Sequence, residues 1–213
     1  MRILVTLCTR LSLSLSILSL LMVSLPSWAQ VSDLNSLQQQ LAKHSVVRGD
    51  FTQLRHLAMF QQPLSSEGNF LLSKEYGLLW QQQTPFSVQL TLTQDKLRQR
   101  FANQEAQVVT ADANPMAFYF SRVFLAVFQG DTSALEQEFT LQFTSDNGQW
   151  QLQLTPIKAP LNAVFASIEL SGSDYIDRLA LVELRGDKTE ILFSQQSHEP
   201  AQLTPQESEQ FGL

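Results

Sequence analysis

Few side chains in this sequence can do acid–base, nucleophilic or metal chemistry, and their spacing does not favour it. His44, His56 and His198 fall at a helix end, in a strand and in a loop. None has a second histidine or a carboxylate at metal-ligand spacing, so they read as polar surface or edge histidines. Arg55 beside His56 does not make the imidazole a catalyst. Two carboxylate pairs, Asp174 with Asp177 and Glu136 with Glu138, sit in turn and helix-entry contexts. Capping and solvation account for them better than proton transfer does. The sequence has no Gly-x-Ser-x-Gly elbow and no phosphate-binding glycine loop. A non-enzymatic protein with no cofactor and no metal is the expectation.

The N-terminus reads as an export signal. Arg2 and Arg10 precede a run of Leu, Ser, Ile, Met and Val from 11 to 25, and Pro26-Ser27-Trp28-Ala29 ends it with small residues three before and immediately before a cut after Ala29. A spanning helix wants about 20 predominantly apolar residues. This run is shorter and is broken by Ser12, Ser14, Ser16 and Ser19. Cys8, the single cysteine, lies ahead of the run, so it cannot become a lipid-bearing first residue of a mature chain. The expected mature protein is 30–213, one domain held by its core alone, with neither disulfide nor thiol nucleophile. Removing 1–29 takes away two arginines and leaves 12 basic against 20 acidic residues, a formal charge of −8. Such a balance argues against nucleic acid and against adsorption on anionic lipid heads.

The elements that must carry any function begin with a helix. Ser32 or Asp33 can cap a segment whose Leu34, Leu37 and Leu41 recur at helical spacing. Alternation follows. Phe86, Val88, Leu90 and Leu92 interleave with polar residues, as do Phe139, Leu141 and Phe143, then Trp150, Leu152 and Leu154. Asp146-Asn147-Gly148 supplies a tight hairpin turn, and Ser173-Asp174 and Gly186-Asp187-Lys188 supply later ones. With turns recurring at about 8 to 12 residues, the pattern predicts a meandering antiparallel sheet long enough to curl. One segment breaks it. Asn114-Pro115 starts a helix running to Gly130 that is apolar almost all round, with only Arg122 charged. Such a helix is buried on more than one face. It either plugs a closed barrel or covers the inner face of a curled sheet and encloses a space. A loop from Pro156 to Phe165 has two prolines that stop a paired strand, yet it is apolar at Ile157, Leu161, Val164 and Phe165.

Several segments occur in an order that resembles the periplasmic lipoprotein carriers of Gram-negative bacteria, the LolA type. They are Phe51-Thr52-Gln53, Gly68-Asn69-Phe70-Leu71-Leu72, Gly77-Leu78-Leu79-Trp80, Thr84-Pro85-Phe86, Asn114-Pro115-Met116, the strand from Trp150 to Pro156, and Arg185-Gly186-Asp187-Lys188-Thr189 before Ile191. The resemblance implies an α+β fold, an unclosed antiparallel half-barrel whose apolar concave face is covered by lid helices. It implies a monomeric periplasmic carrier that shelters the acyl chains of lipid or lipoprotein cargo between an inner-membrane donor transporter and an outer-membrane receptor.

On that reading the cavity is lined by Phe70, Leu72, Trp80, Phe86, Val88 and Leu90 from the first strands. Met116, Phe120 and Phe124 add to it from the helix, and Leu141, Phe143, Leu152, Leu154, Ile168 and Leu170 from the later strands. The lid comprises Lys74, Pro115, Ile157, Lys158, Leu161 and Phe165, and Leu154-Thr155-Pro156-Ile157-Lys158 is close to the family's lid-loop pattern. There are two departures. Lys74-Glu75 stands where the family shows Arg-Pro, so a single point-charge contact replaces a bidentate fork. At the C-terminus, Thr204-Pro205-Gln206-Glu207 opens a short helix instead of another strand. The resemblance also admits a carrier of a non-protein lipid, such as a glycolipid or polyene lipid, beside a dedicated exporter, and a lipid-sensing envelope stress regulator.

Overall fold

The computed structural model describes residues 31–212 apart from 95, 103, 111 and 114, and only the backbone at 115–117, 120, 121 and 124. The export-signal reading therefore lies outside the described residues. Helix α1 (Leu34–Leu41) begins at Asp33, whose carboxylate accepts from the Ser36 N–H at 2.7 Å while Ser36 Oγ accepts from the Asp33 N–H at 3.0 Å. This reciprocal cap satisfies donors that the first helical turn leaves orphaned.

Six strands follow: β1 (Val46–His56), β2 (Leu64–Ser73), β3 (Gly77–Thr84), β4 (Val88–Leu92), β5 (Lys96–Phe101) and β6 (Gln107–Thr110). Helices α2 (Pro115–Gln129) and α3 (Thr132–Glu136) lead into β7 (Phe139–Asp146), β8 (Gln149–Pro156), a single 3₁₀ turn (Leu161–Ala163), β9 (Phe165–Gly172), β10 (Ile176–Glu183) and β11 (Lys188–Ser197). Helix α4 (Pro205–Phe211) comes last and has the capping box expected at Thr204 and Glu207.

All strands join one sheet in the order β6-β5-β4-β3-β2-β1-β11-β10-β9-β8-β7, and every neighbouring pair is antiparallel. Two meanders meet where β1 pairs with β11, and the sheet stays open between β6 and β7, its two edge strands. The predicted unclosed half-barrel is the observed fold.

Register sorts the side chains onto two faces. Phe51 lies opposite Phe193, Phe70 opposite Trp80, Trp80 opposite Leu90, Leu152 opposite Leu170, and Leu154 opposite Ile168. These rows form the inner face and, with Phe128 and Leu125 of α2, the main core. Phe51 and Trp80 stack with centroids 3.6 Å apart, and Phe193 meets Phe70, Trp80 and Phe128 edge-on at 5.1, 6.4 and 5.5 Å. The aromatic group thus fastens the C-terminal half of α2 to β1, β2 and β11. Gly68 is fixed by close approach: a Cβ there would lie 2.0 Å from the Gln81 carbonyl oxygen. The end of α2 is equally tight, because Gly130 (φ +66°) leaves room for only 2.9 Å between its own would-be Cβ and that of Leu41.

The outer face has a smaller core of Val46, Leu71 and Leu79 beneath Leu203 and Phe211. Arg48 holds α4 there, donating from Nε and Nη2 to the two Glu207 oxygens at 2.6 and 2.8 Å. This fork holds the Glu207 carboxyl down to about 2, below the usual carboxylate range.

Candidate binding cavity

Between α2 and the inner face lies a cavity of about 410 Å³. Leu78, Trp80, Leu90, Leu92 and Leu97 line it from β3, β4 and β5; Leu179, Leu181, Ile191 and Ile168 from β9, β10 and β11; Val123 and Val127 from α2; and Leu161 and Phe165 from the β8–β9 connection. Among the described residues, Gln53 and Thr189 are the polar lining groups and no charged side chain borders the space. Such a wall offers dispersion contacts and dry surface but no anchored polar recognition.

The sequence-predicted residues divide. Trp80, Leu90 and Ile168 line the cavity, as do Leu161 and Phe165 of the predicted lid. Leu152, Leu154 and Leu170 are inside the solid core at 3, 0 and 2% exposure, because α3 and the 3₁₀ turn sit directly on that part of the sheet. Phe70 and Leu72 are also buried and border a void of about 30 Å³ near α1, and Leu141 and Phe143 are half-buried against the core.

Two residues sit elsewhere altogether. Phe86 is 75% exposed: Thr84-Pro85-Phe86-Ser87 forms the β3–β4 turn, and the strand starts only at Val88, which is half-exposed and away from the lining. Ile157 is exposed on the loop, outside the cavity. The side chains of Pro115, Met116, Phe120 and Phe124 lie outside the described residues, though the helix carrying them is present. The sequence reading missed Leu78, Leu92, Leu97, Leu179, Leu181 and Ile191. For the last three, the register of β11 against β1 and of β10 against β11 would have shown the inner face, but it depends on a long-range pairing.

Two sets of contacts tie the cover down. Near the start of α2 the Tyr119 hydroxyl donates to Glu138, and Glu138 also pairs with Lys158 Nζ at 3.0 Å. The Glu138 carbonyl accepts from the Ile157 N–H at 3.0 Å. Burial and this hydrogen bond push the Tyr119 phenol up to about 12. Glu138, expected to be a solvated acid, is thus the bridge from helix to loop. At the other end Lys74 donates from its ammonium to the carbonyl of Ala42, the C-cap of α1, and its own carbonyl accepts from Gln129 Nε2 at 3.2 Å. Burial lowers its pKa. The lysine makes a single contact, as its point charge dictates.

The histidines are not all scattered. His44 and His198, 154 positions apart in sequence, stack with centroids 3.8 Å apart, and the Tyr175 hydroxyl lies 2.6 Å from His198 Nδ1. Burial, then the neighbouring His198, lowers the His44 pKa. The spacing gave no hint of this, since the end of α1 meets the end of β11 only through the sheet.

The profile of a family described as outer membrane lipoprotein carrier protein LolA-like matches residues 27–211. No curated protein matches. Among solved structures, a DUF1329 family protein from Desulfovibrio piger aligns at 10% identity over 80% of this chain and 92% of its own, with a TM-score of 0.46. A LolA superfamily protein from Nitrosomonas europaea aligns at 8% identity over 77% of this chain and 92% of its own, with a TM-score of 0.42. A putative outer membrane lipoprotein-sorting protein domain from Vibrio parahaemolyticus aligns at 8% identity, 81% and 94% coverage and a TM-score of 0.42.

Proposed function

Since the chain belongs to the LolA-like family of outer membrane lipoprotein carriers, we propose that it is a non-enzymatic periplasmic carrier whose inner-face cavity shelters the acyl chains of a lipid or lipoprotein. The observation that carries this reading is the apolar, uncharged cavity of about 410 Å³ under α2. An apolar space of this size suits an apolar guest and falls within the roughly 300–1,000 Å³ of ligand sites.

The wall also fits a carrier that must let go. Each buried methylene contributes about 0.8 kcal/mol, so one long chain already gives tight holding without any polar anchor. Leu161 and Phe165 form the loop side of the lid, with Lys158 and Lys74 fastening its ends. An inner-membrane donor and an outer-membrane receptor complete the proposed route, with the protein acting as a monomer after cleavage at Ala29. Among the described residues no helix is long and apolar enough to cross a membrane.

The test is saturable, displaceable binding of a fluorescent fatty acid by the purified protein, with Trp80 as the quenching reporter. Leu90→Asp places a charge on the wall and is expected to abolish binding while the circular dichroism of the sheet is kept. Absence of saturable binding by the wild type overturns the reading. Mass spectrometry of an organic extract of protein taken from periplasm identifies the cargo class.

A further inference from the structure

The two ends of the strand array are finished with opposite chemistry. Strand directions place the β1–β2, β3–β4, β5–β6, β8–β9 and β10–β11 connections at one end, and the β2–β3, β4–β5, β7–β8 and β9–β10 turns at the other. The second end is polar, with Lys74-Glu75-Tyr76, Thr93-Gln94, Asn147-Gly148 and Ser173-Asp174-Tyr175. At the first end the tips are apolar: Met59 and Phe60 between β1 and β2, Phe86 between β3 and β4, Ile157 and Val164 between β8 and β9, and Leu184 between β10 and β11. Leu64 and Phe101, at the adjoining strand ends, are exposed as well. Eight of the ten large hydrophobic side chains exposed among the described residues thus lie at this one end, where scatter would divide them. Met59 at 81% exposure and Phe86 at 75% cover nothing of the fold itself.

Neighbouring tips are held to each other: the Leu184 N–H donates to the Val164 carbonyl at 3.0 Å, and the Ala58 N–H to Asp187 Oδ1 at 2.9 Å. The cavity reaches this end, since Leu161 and Phe165 line it from the same β8–β9 connection that presents Ile157 and Val164.

We infer that this end of the protein docks on a lipid bilayer, its tips inserting into the headgroup–acyl boundary. Charge and spacing favour a bilayer over a protein face. The five connecting segments carry Glu105, Lys158, Arg185 and Asp187, and the α3–β7 connection at the same end adds Glu138, which pairs with Lys158, so this end carries a formal −1 while residues 31–213 carry −8. It can therefore approach anionic headgroups with little repulsion, and it gains nothing from salt bridges to them. The apolar side chains are spread over four connections instead of standing on one element. A protein partner builds its interface around a continuous packed core, whereas a fluid interface accepts Phe, Met and Leu inserted one by one. The inference deepens the carrier reading, and rests on it, only in giving the cavity a place to load. The docking itself stands on the tips.

The experiment is flotation of protein purified from periplasmic extract with vesicles of phosphatidylethanolamine and phosphatidylglycerol, and with vesicles of phosphatidylcholine alone. The wild type is expected to float with both, with little change on adding salt. In Met59→Ser/Phe60→Ser the bound fraction is expected to fall about tenfold or more, and in Phe86→Ser several-fold. These side chains are exposed, so thermal unfolding stays at the wild-type temperature in both variants. Failure of the wild type to float, or equal flotation of the double variant, overturns the inference. So does self-association through the same tips without flotation, seen by sedimentation, which makes the end an interface between copies. Fatty-acid binding measured in the same samples separates the two proposals. Flotation without probe binding overturns the carrier reading alone, and probe binding without flotation overturns the docking alone.

Discussion

The inner face of the sheet is built from one alternating pattern yet finished in two ways. Along β8, Trp150, Leu152 and Leu154 are at most 3% exposed, with the Trp150 indole N–H donating to the Ser173 carbonyl at 2.8 Å. Across β3 to β5 and β10, residues of the same kind surround the 410 Å³ cavity. The floor does not differ; the cover does. Helix α3 brings Leu135 down onto the first region, while α2 holds Val123 and Val127 over the second. Strand chemistry therefore sets which face is dry, and the cover sets whether the dry face is a core or a container.

The sharpest way to break this contrast is to truncate one leucine in each region. Leu154→Ala empties a site with no exposed surface and is expected to cost about 3 kcal/mol in chemical denaturation. Leu90→Ala removes a side chain that already borders open space, so fewer contacts are lost and the cost stays below about 1 kcal/mol. Equal losses would mean that the second region packs as tightly as the first. Filling the container from above is the next largest effect. Val123→Phe projects a ring into the cavity, and fatty-acid affinity is expected to fall about tenfold, or about 1.4 kcal/mol, with stability unchanged or raised. An unchanged affinity would move the guest elsewhere.

A smaller effect is expected at the fastening between cover and loop. Glu138→Gln removes the ion pair to Lys158 and leaves the amide oxygen for Tyr119. Lys158 is half-exposed, so the stability change should be under about 1 kcal/mol. Probe dissociation is expected to quicken roughly threefold, the equivalent of about 0.6 kcal/mol. The phenol supplies a direct readout: Tyr119, held up near 12, should titrate closer to its ordinary 10.0 in the variant. An unmoved titration and dissociation rate would show that the bridge does not govern the lid.

The contrast also marks how far the residues can be read without coordinates. Caps, turns and strands were legible because their causes are local: Asp33 and Thr204 accept from their own first turns, and Asn147 and Gly148 take the positive φ of 49° and 79° that a two-residue hairpin needs. Alternation assigned Trp80 and Leu90 to the inner face, and equally Leu152 and Leu154. Only the placement of α2, α3 and the 3₁₀ turn over the sheet separates lining from core, and no window of sequence holds that information. Phe86 fails for a nearer reason, since the period-2 pattern begins at Phe86, inside the turn that follows Pro85, while the strand starts at Val88. The stack of His44 on His198 and the bridge at Glu138 join residues brought together by the sheet and by the end of α3.

The smallest effect concerns that stack and the polar end it closes. His44 sits at the end of α1 with His198 against it, Lys43 and Lys74 adding positive potential and Asp174 opposing them. Its folded pKa is thus below the ordinary 6.5, and between those two values the unfolded chain binds more proton than the folded one. Stability therefore rises with pH through that window, is complete above about 6.5, and is reduced below the depressed value. Carboxylates held low in the fold, Glu138, Glu190 and Glu207, lose their contribution only as pH falls below their ordinary 4.5, so the two windows are separate. Hydrogen exchange of α1 amides is the measurement, because α1 and the Lys74 contact to Ala42 are what the stack supports. Protection is expected to weaken from pH 7 to pH 5.5 in the wild type and to stay level in His44→Asn, with amides near the cavity in β10 unaffected in both. A wild-type α1 indifferent to pH, or a response equal in β10, would mean that His44 titrates without consequence for the closed end.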